Sequence, residues 1–320
     1  MTAYIVRRLL MAVVVLIMVT LIVFFVMRLL PGDPLVIFMG QSAGAGAMSQ
    51  EQLEYLRVRY GLDKPLMVQY ANWMKGIFQG NLGKSIYYHE DVGRLLLERF
   101  PVTLDLGLRA FVLSNVLGIV MGLFAALRRG KWIDTVATVF SYIGVTVPVF
   151  WLGILLIYAF GLKLHWIVPF VGYTSPLDDF WMNFKQSIMP VACLALMGLA
   201  VTARQMRSSV LEVSRQDYIR TAWSKGLRER VVVMRHMLKN SLIPVITLMG
   251  IGLGLMFSGQ VLVETVFAIP GIGRLLVSSV FAQDYQVVQS GTLIIAFIVV
   301  LANLAVDISY GWLDPRVRYG

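Results

Sequence analysis

Six apolar runs on the scale of a bilayer crossing decide what this chain can become: Leu9 to Leu30, Val102 to Leu127, Ile133 to Phe160, Ile188 to Ala203, Leu242 to Val263 and Val287 to Tyr310. A helix crossing the hydrocarbon core needs roughly 20 predominantly apolar residues. With 58% hydrophobic and 14% charged residues in a chain of 320, and a mean hydropathy of +0.74, there is more apolar surface than a soluble domain could bury. The expected fold is an all-α integral membrane protein with six transmembrane helices. The first run follows Arg7 and Arg8 and is longer than the roughly 7 to 15 apolar residues of a cleaved signal, so it reads as an uncleaved signal-anchor.

The formal charge of +10 does not point to nucleic acid. Lys and Arg gather at the ends of apolar runs rather than along one amphipathic surface, and membrane topology with anionic lipid accounts for them better. The single cysteine, Cys193, lies inside an apolar run, which excludes a disulfide framework or cysteine metal site. His89, His165 and His236 stand far apart without ligand-like neighbours. No metal or cofactor is expected.

In chain order, residues 1–30 form the first span and residues 31–100 a polar loop with short amphipathic helices. Residues 101–312 form a five-helix core containing the interval 204–240, and residues 313–320 a basic tail with Arg316 and Arg318. Pro31-Gly32-Asp33-Pro34 stops the first helix. Ser49 with Gln52 reads as a capping box, and Gly61 as the C-terminal cap of that helix. A second helix is expected from Pro65 to Gln79, with Leu66, Tyr70, Trp73, Met74 and Ile77 on one face. That face either packs on the membrane domain or docks an external partner. Gly80-Asn81-Leu82-Gly83-Lys84-Ser85 ends like a phosphate loop, but Phe78 stands where that motif needs its first glycine and no strand precedes it. It reads as a turn, so the chain itself is not expected to bind ATP.

Asp105 and Arg109, one turn apart, are expected to pair. Ser114, Gly118, Gly122 and Ala126, then Gly250, Gly254 and Ser258, recur every four residues as close-packing stripes. Pro148 predicts a kink in the third span, and Trp132 and Trp166 read as interface anchors. Asp178 and Asp179 lie in a polar loop. Phe267 to Gly273 breaks the fifth span, and a short amphipathic piece follows to about Gln283. The span centres lack ionisable groups, because Asp105, Arg109, Asp134 and Glu264 sit near span ends and Asp307 lies within about two turns of the last one. This argues against an ion-coupled secondary transporter or a channel.

Six spans place both termini on one side. The N-terminus, Arg128 to Lys131, the basic interval and the tail then share the face that positive charge in short loops marks as cytoplasmic. The long loop after the first span carries Arg and Lys as well, but acidic residues balance them one for one. In the interval from Arg204 to Lys239 nine basic residues face only Glu212, Asp217 and Glu229.

That interval predicts its own local fold. Ser214 is expected to cap a helix whose first turn holds Asp217, running from about Arg215 to Lys225. Tyr218, Ile219, Ala222 and Trp223 share one side, Gly226 supplies a left-handed stop, and a second basic helix leads to Pro244 and the fifth span. The arrangement suits either an ordinary charged loop or a knob that fits a cleft in a soluble partner. Gly226→Pro is expected to uncouple such a knob while leaving the chain inserted.

The interval resembles the cytoplasmic signature loop of ABC importer permeases, Glu-Ala-Ala, three residues, Gly, nine residues, Ile-x-Leu-Pro. Anchored on Gly226, the positions are filled by Arg220, Thr221 and Ala222, then by His236, Leu238 and Lys239, of which Ala222, Gly226 and Leu238 match. The departures resemble the dipeptide and oligopeptide permeases in Arg215-Gln216-Asp217-Tyr218-Ile219-Arg220-Thr221-Ala222, Lys225-Gly226-Leu227 and Arg235-His236. Short blocks in the same order extend the likeness along the chain: Tyr4-Ile5-Val6-Arg7-Arg8-Leu9, Pro31-Gly32-Asp33-Pro34, Tyr60-Gly61-Leu62-Asp63, Gly80-Asn81-Leu82-Gly83, Pro148-Val149-Phe150-Trp151-Leu152-Gly153, Val263-Glu264-Thr265-Val266-Phe267, Pro270-Gly271-Ile272-Gly273-Arg274-Leu275 and Leu313-Asp314-Pro315-Arg316.

The resemblance implies a type I ABC importer permease fold in the bacterial inner membrane. The implied partners are a second homologous permease subunit, two cytoplasmic ATP-binding subunits carrying the hydrolysis, and an extracytoplasmic peptide-binding protein. Similar permeases also carry nickel complexes or glutathione. Asp217, Tyr218, Arg220, Ala222, Trp223, Lys225 and Gly226 would carry coupling to the ATPase. Arg220, Lys225 and Arg228 would either pair with its acidic groups or stay solvated at the lipid. Pro270, Gly271 and Gly273 would form either an external turn near the binding protein or a purely structural one.

Overall fold

The computed structural model describes residues 2–31, 35, 50–164 and 173–313. Gly32 to Pro34, Ser49, His165, Trp166, Arg316, Arg318 and the rest of the tail from 314 lie outside the described residues. The helices are α1 (Thr2–Leu29), α2 (Gln50–Tyr60), α3 (Leu66–Phe78), α4 (Val92–Leu127), α5 (Trp132–Thr146), α6 (Val149–Leu156), α7 (Phe180–Val213), α8 (Asp217–Ser224), α9 (Leu238–Val266), α10 (Ile272–Phe281) and α11 (Tyr285–Leu313). A π-helical stretch, Ile157–Lys163, extends α6, and the turn Glu229–Val231 with a second π-helical stretch, Val232–Met237, leads into α9.

Five helical stretches are long and apolar enough to cross a membrane. Trp132–Thr146 and Val149–Lys163 reach that length and apolarity only together and meet at 105°, so they form either one broken span, a sixth, or a re-entrant pair. The sequence predicts a kink at Pro148; the structure shows a full break, because Val147 and Pro148 both take extended backbone and proline forces its predecessor out of the helical region. Three other prolines do not interrupt their helices. Pro101, Pro190 and Pro244 lie inside α4, α7 and α9, so α4 begins at Val92 rather than at the expected Val102, and the second basic helix runs on into the fifth span.

The chain divides into two compact units, Met1–Val102 with Pro270–Val300, and Thr103–Ile269 with Leu301–Gly320. In the first, α3 packs on α1. The Phe24 ring meets Tyr70 edge-on at 5.2 Å and stacks on Trp73 at 6.2 Å, Tyr70 OH shares a 2.9 Å hydrogen bond with Thr20 Oγ1, and Arg28 donates to Gln69 Oε1 at 2.9 and 3.2 Å. Tyr70 and Trp73 of that amphipathic face thus serve packing, while Met74 and Ile77 are half-buried and Leu66 is exposed. Gly61 ends α2 as expected, with φ +67° and the paired bonds Gly61 N–H to Val58 O (3.0 Å) and Leu62 N–H to Arg57 O (2.9 Å), the Schellman pattern. Val92, Leu95 and Leu96 pack with Ile272, Leu275 and Val287. The segment after Gly83 is a turn, held by Asp284, whose carboxylate accepts from Ser85 Oγ (2.5 Å) and Tyr87 N–H (3.1 Å).

Burial raises the Asp284 carboxyl above its ordinary value of 3.8. The folded state therefore holds this proton more tightly than the unfolded chain. The contribution is complete below the ordinary carboxylate range and falls as pH rises through the raised value. Asp284→Asn should flatten that slope in thermal unfolding of the detergent-solubilised chain. Asp284→Ala, which leaves the buried Ser85 hydroxyl without its acceptor, should cost about 1 to 3 kcal/mol more than the Asn variant at neutral pH.

In the second unit α7 is central. The stripe on α4 faces it: a Cβ on Gly118 would lie 2.7 Å from Thr202 Cβ, one on Gly122 would strike the Ala203 carbonyl and lie 2.7 Å from Met206 Cβ, and Gly198 of α7 meets Ser114. Gly144 of α5 approaches Ala200 equally closely, at 2.9 Å. Small residues let these backbones touch where van der Waals packing drives helix association. Gly122→Val should push α7 away and cost about 1 to 3 kcal/mol, read as a lower unfolding temperature and a smaller folded fraction. Asp105 and Arg109 pair at 2.9 Å, as their spacing predicts.

Candidate functional site

The interval between α7 and α9 is built from the end of α7. Ser214 does not cap α8. Its backbone is helical (φ −61°, ψ −20°) and its hydroxyl donates to Leu211 O at 2.8 Å, so it closes α7. A cap needs extended backbone, and Gln216 supplies it (φ −73°, ψ 147°) without a side-chain bond. Helix α8 therefore starts at Asp217, in the first turn where a carboxylate favours the helix dipole. Asp217 and Arg220 face solvent at 3.7 Å, a separation and exposure that contribute little.

Gly226 stops α8 as expected. Its φ is +69°, its N–H donates to Trp223 O at 2.9 Å, and Leu227 N–H reaches Ala222 O at 3.4 Å. Nothing lies within 4 Å of where its Cβ would be, so backbone conformation alone makes the position suit glycine.

The apolar side of α8 divides in two. Ile219 and Ala222 are buried in one cluster with Ala126 of α4, Met206 and Val210 of α7, Val232, Val233 and Met237 of the π-helical stretch, and Val245 of α9. Tyr218 and Trp223 are 43% and 47% exposed, and Tyr218 OH accepts from Asn240 Nδ2 at 3.0 Å. Arg220, Lys225, Arg228, Arg230, Arg235 and Lys239 of the same interval are exposed as well. The short helix is rooted in the bundle by aliphatic groups and leaves two aromatics exposed.

One contact is invisible in the sequence. Arg207 grips Asp134 with two hydrogen bonds, Nε to Oδ1 at 2.6 Å and Nη2 to Oδ2 at 2.9 Å, tying α7 to the start of α5. Asp134 also accepts from Gly130 N–H at 3.0 Å. This removes Arg207 from the unbalanced charge of the interval. The signal available was a lone carboxylate in the first turn of the third span, and nothing local names its partner 73 positions on.

At the other predicted site, Ala268, two residues past the end of α9, takes φ +54°. Gly271 caps α10 with extended backbone. Pro270 is half-buried, Gly271 and Gly273 are buried, and Gly273 belongs to the first turn of α10 rather than to the preceding turn. Among the described residues no three His, Cys, Asp or Glu side chains gather closely enough to hold a metal ion.

Among the described residues, an almost wholly helical fold with five or six candidate membrane crossings and one small helix rooted in its packed interior defines a multi-pass membrane protein. The chain belongs to the family of binding-protein-dependent transport system inner membrane components, whose description matches residues 118–319, with the N-terminal part of such components matching residues 1–107. Among its relatives are a putative peptide transport system permease protein of Brucella abortus (strain 2308), 42% identical over 319 residues and covering 100% of both chains. Another is the di/tripeptide transport system permease protein DppB of Pseudomonas aeruginosa (strain UCBPP-PA14), 40% identical over 338 residues, covering 100% of this chain and 99% of that one. A crystal structure of an amino acid ABC transporter with histidines shares the fold, with a TM-score of 0.50 at 18% identity over 70% of this chain and 94% of that one. The protein is thus the membrane-spanning permease of a binding-protein-dependent ABC system, in the bacterial inner membrane.

Proposed function

We propose that the chain carries di- or oligopeptides inward as one of two homologous permeases, driven by two cytoplasmic ATP-binding subunits and supplied by an extracytoplasmic peptide-binding protein. In this reading both termini, the turn 128–131 and the interval 204–240 face the cytoplasm, and residues 31–100 lie outside. Helix α8 enters a cleft of an ATP-binding subunit with Tyr218 and Trp223 as apolar contacts, while Arg220, Lys225 and Arg228 meet its acidic rim. Pro270 and Gly271 form a turn on the opposite face, near the binding protein.

The observation that carries the reading is the anchoring of α8. Ile219 and Ala222 share one buried cluster with α4, α7 and α9, so force applied to the exposed side of α8 reaches those helices through packed side chains. Close-packed interiors move as units, which is what a lever between ATP closure and alternating access requires. Relatives named as peptide permeases along their full length support the substrate class. The test is reconstitution of the copurified complex in liposomes. Peptide-loaded binding protein should stimulate ATP hydrolysis together with peptide uptake. Hydrolysis indifferent to the binding protein, or uptake without ATP, would refute the reading.

A further inference from the structure

The second unit carries a surface groove apart from α8. It is about 590 Å³ in volume and lies between Val120 and Phe124 of α4 and Trp132, Val136 and Phe140 of α5, floored by Leu199 of α7. Its polar lining is almost nil. Most of its wall is open to the exterior, with Val136 58% and Trp132 73% exposed.

The α4–α5 turn at the mouth of this groove is cationic. Arg128, Arg129 and Lys131 are exposed, and among the described residues no carboxylate pairs with any of them. The one nearby acid, Asp134, is taken up by Arg207 and the Gly130 N–H. Three exposed cations without a salt-bridge partner thus stand beside an apolar cleft, Arg129 feeling Asp134 only at a distance, with an indole beside Lys131 at the level where tryptophan marks a bilayer interface.

We propose that this groove is a binding site for an anionic phospholipid, whose acyl chains lie along α4 and α5 and whose phosphate sits on the turn Arg128 to Lys131. The charge complementarity selects the occupant. A zwitterionic headgroup brings its own ammonium to a turn that already holds three cations, whereas an anionic headgroup neutralises them. Basic pockets between membrane helices recognise acidic lipid headgroups in this way. A diffuse attraction between a basic loop and the membrane surface would need no cleft, and this distinguishes the proposal from a topology signal.

The test uses the purified full-length chain with its partner subunits, delipidated in detergent, then offered phosphatidylglycerol or phosphatidylcholine and read by native mass spectrometry. The wild type should retain phosphatidylglycerol after phosphatidylcholine has been lost. Arg128→Gln with Arg129→Gln and Lys131→Gln should weaken retention roughly 100-fold. Val120→Trp with Val136→Trp, which fills the cleft and leaves every charge in place, should also abolish it. Three results would overturn the proposal: equal retention of phosphatidylcholine, undiminished phosphatidylglycerol in the cleft-filled variant, or a cross-link from Val136→Cys to the second permease subunit, which would show that protein covers the groove.

Discussion

Gly226→Pro should reduce peptide uptake to background in a chain that still inserts. Proline is locked near φ −65° and cannot adopt the +69° of this position. It also removes the N–H that donates to Trp223 O at 2.9 Å. Proline lacks both the geometry and the donor, which costs about 3 kcal/mol or more locally. The loss falls on an exposed turn, so the spans persist while α8 loses its fixed direction. Gly226→Ala meets no atom within 4 Å and should cost only the left-handed penalty, about 1 to 2 kcal/mol. Gly226→Asn, which tolerates that region, should cost less still. Uptake measured at matched membrane levels should therefore rank Gly, Asn, Ala, Pro. An uptake by the proline variant equal to that of glycine would show that the turn does not position α8 for transport.

The second large effect is expected at Asp134 and Arg207. The pair is bidentate, and its side chains are 9% and 32% exposed. Breaking a buried pair leaves an uncompensated charge and costs about 3 to 5 kcal/mol. Arg207 keeps access to water, which moves the expectation to the low end of that range, about 3 kcal/mol. Asp134→Asn or Arg207→Gln alone should lower the unfolding temperature sharply, whereas the double variant should recover part of the loss because neither charge is then orphaned. Arg207→Lys should behave as a partial loss, since an ammonium cannot form the two-point grip. Additive single effects would show that the two groups act independently.

Features whose cause is local were legible in the sequence. Gly61 and Gly226 are read from the left-handed stop of a helix, Asp105 with Arg109 from one-turn spacing, and the stripe Ser114 to Ala126 from its four-residue period, which the structure sets against α7. The helix from Pro65 to Gln79 is found at Leu66–Phe78. Errors arose where tertiary context overrides a local rule. The second span reads as beginning at Val102, yet α4 starts at Val92 and runs through Pro101. Membrane helices tolerate proline when neighbours supply the freed backbone groups. Pro148 reads as a kink and is a break of 105°. Ser214 reads as a cap because capping patterns ignore the helix that comes before, and here α7 extends to Val213 and absorbs it. Tyr218 and Trp223 share a helical side with Ile219 and Ala222, but only the latter two are buried, since a short helix docked by its aliphatic edge leaves its aromatics at the rim. For the Asp134–Arg207 pair the sequence offers only a lone carboxylate in the first turn of the third span, with nothing local to name its partner.

These placements sharpen the proposed coupling. The groups expected to meet a partner separate into those that hold α8 to the bundle and those left free to be covered. Tyr218 and Trp223 are exposed, as are the cations of the interval, while Ala222 is buried.

The most direct measurement of the central claim replaces Trp223 with a photo-cross-linking residue in the assembled importer and follows its products with and without ATP. A covalent adduct with an ATP-binding subunit is expected in both conditions, since docking persists while the bundle moves, and none from a probe at the buried Ala222. An adduct with lipid alone, or with the second permease and never with an ATP-binding subunit, would contradict the assignment of α8 as the coupling helix.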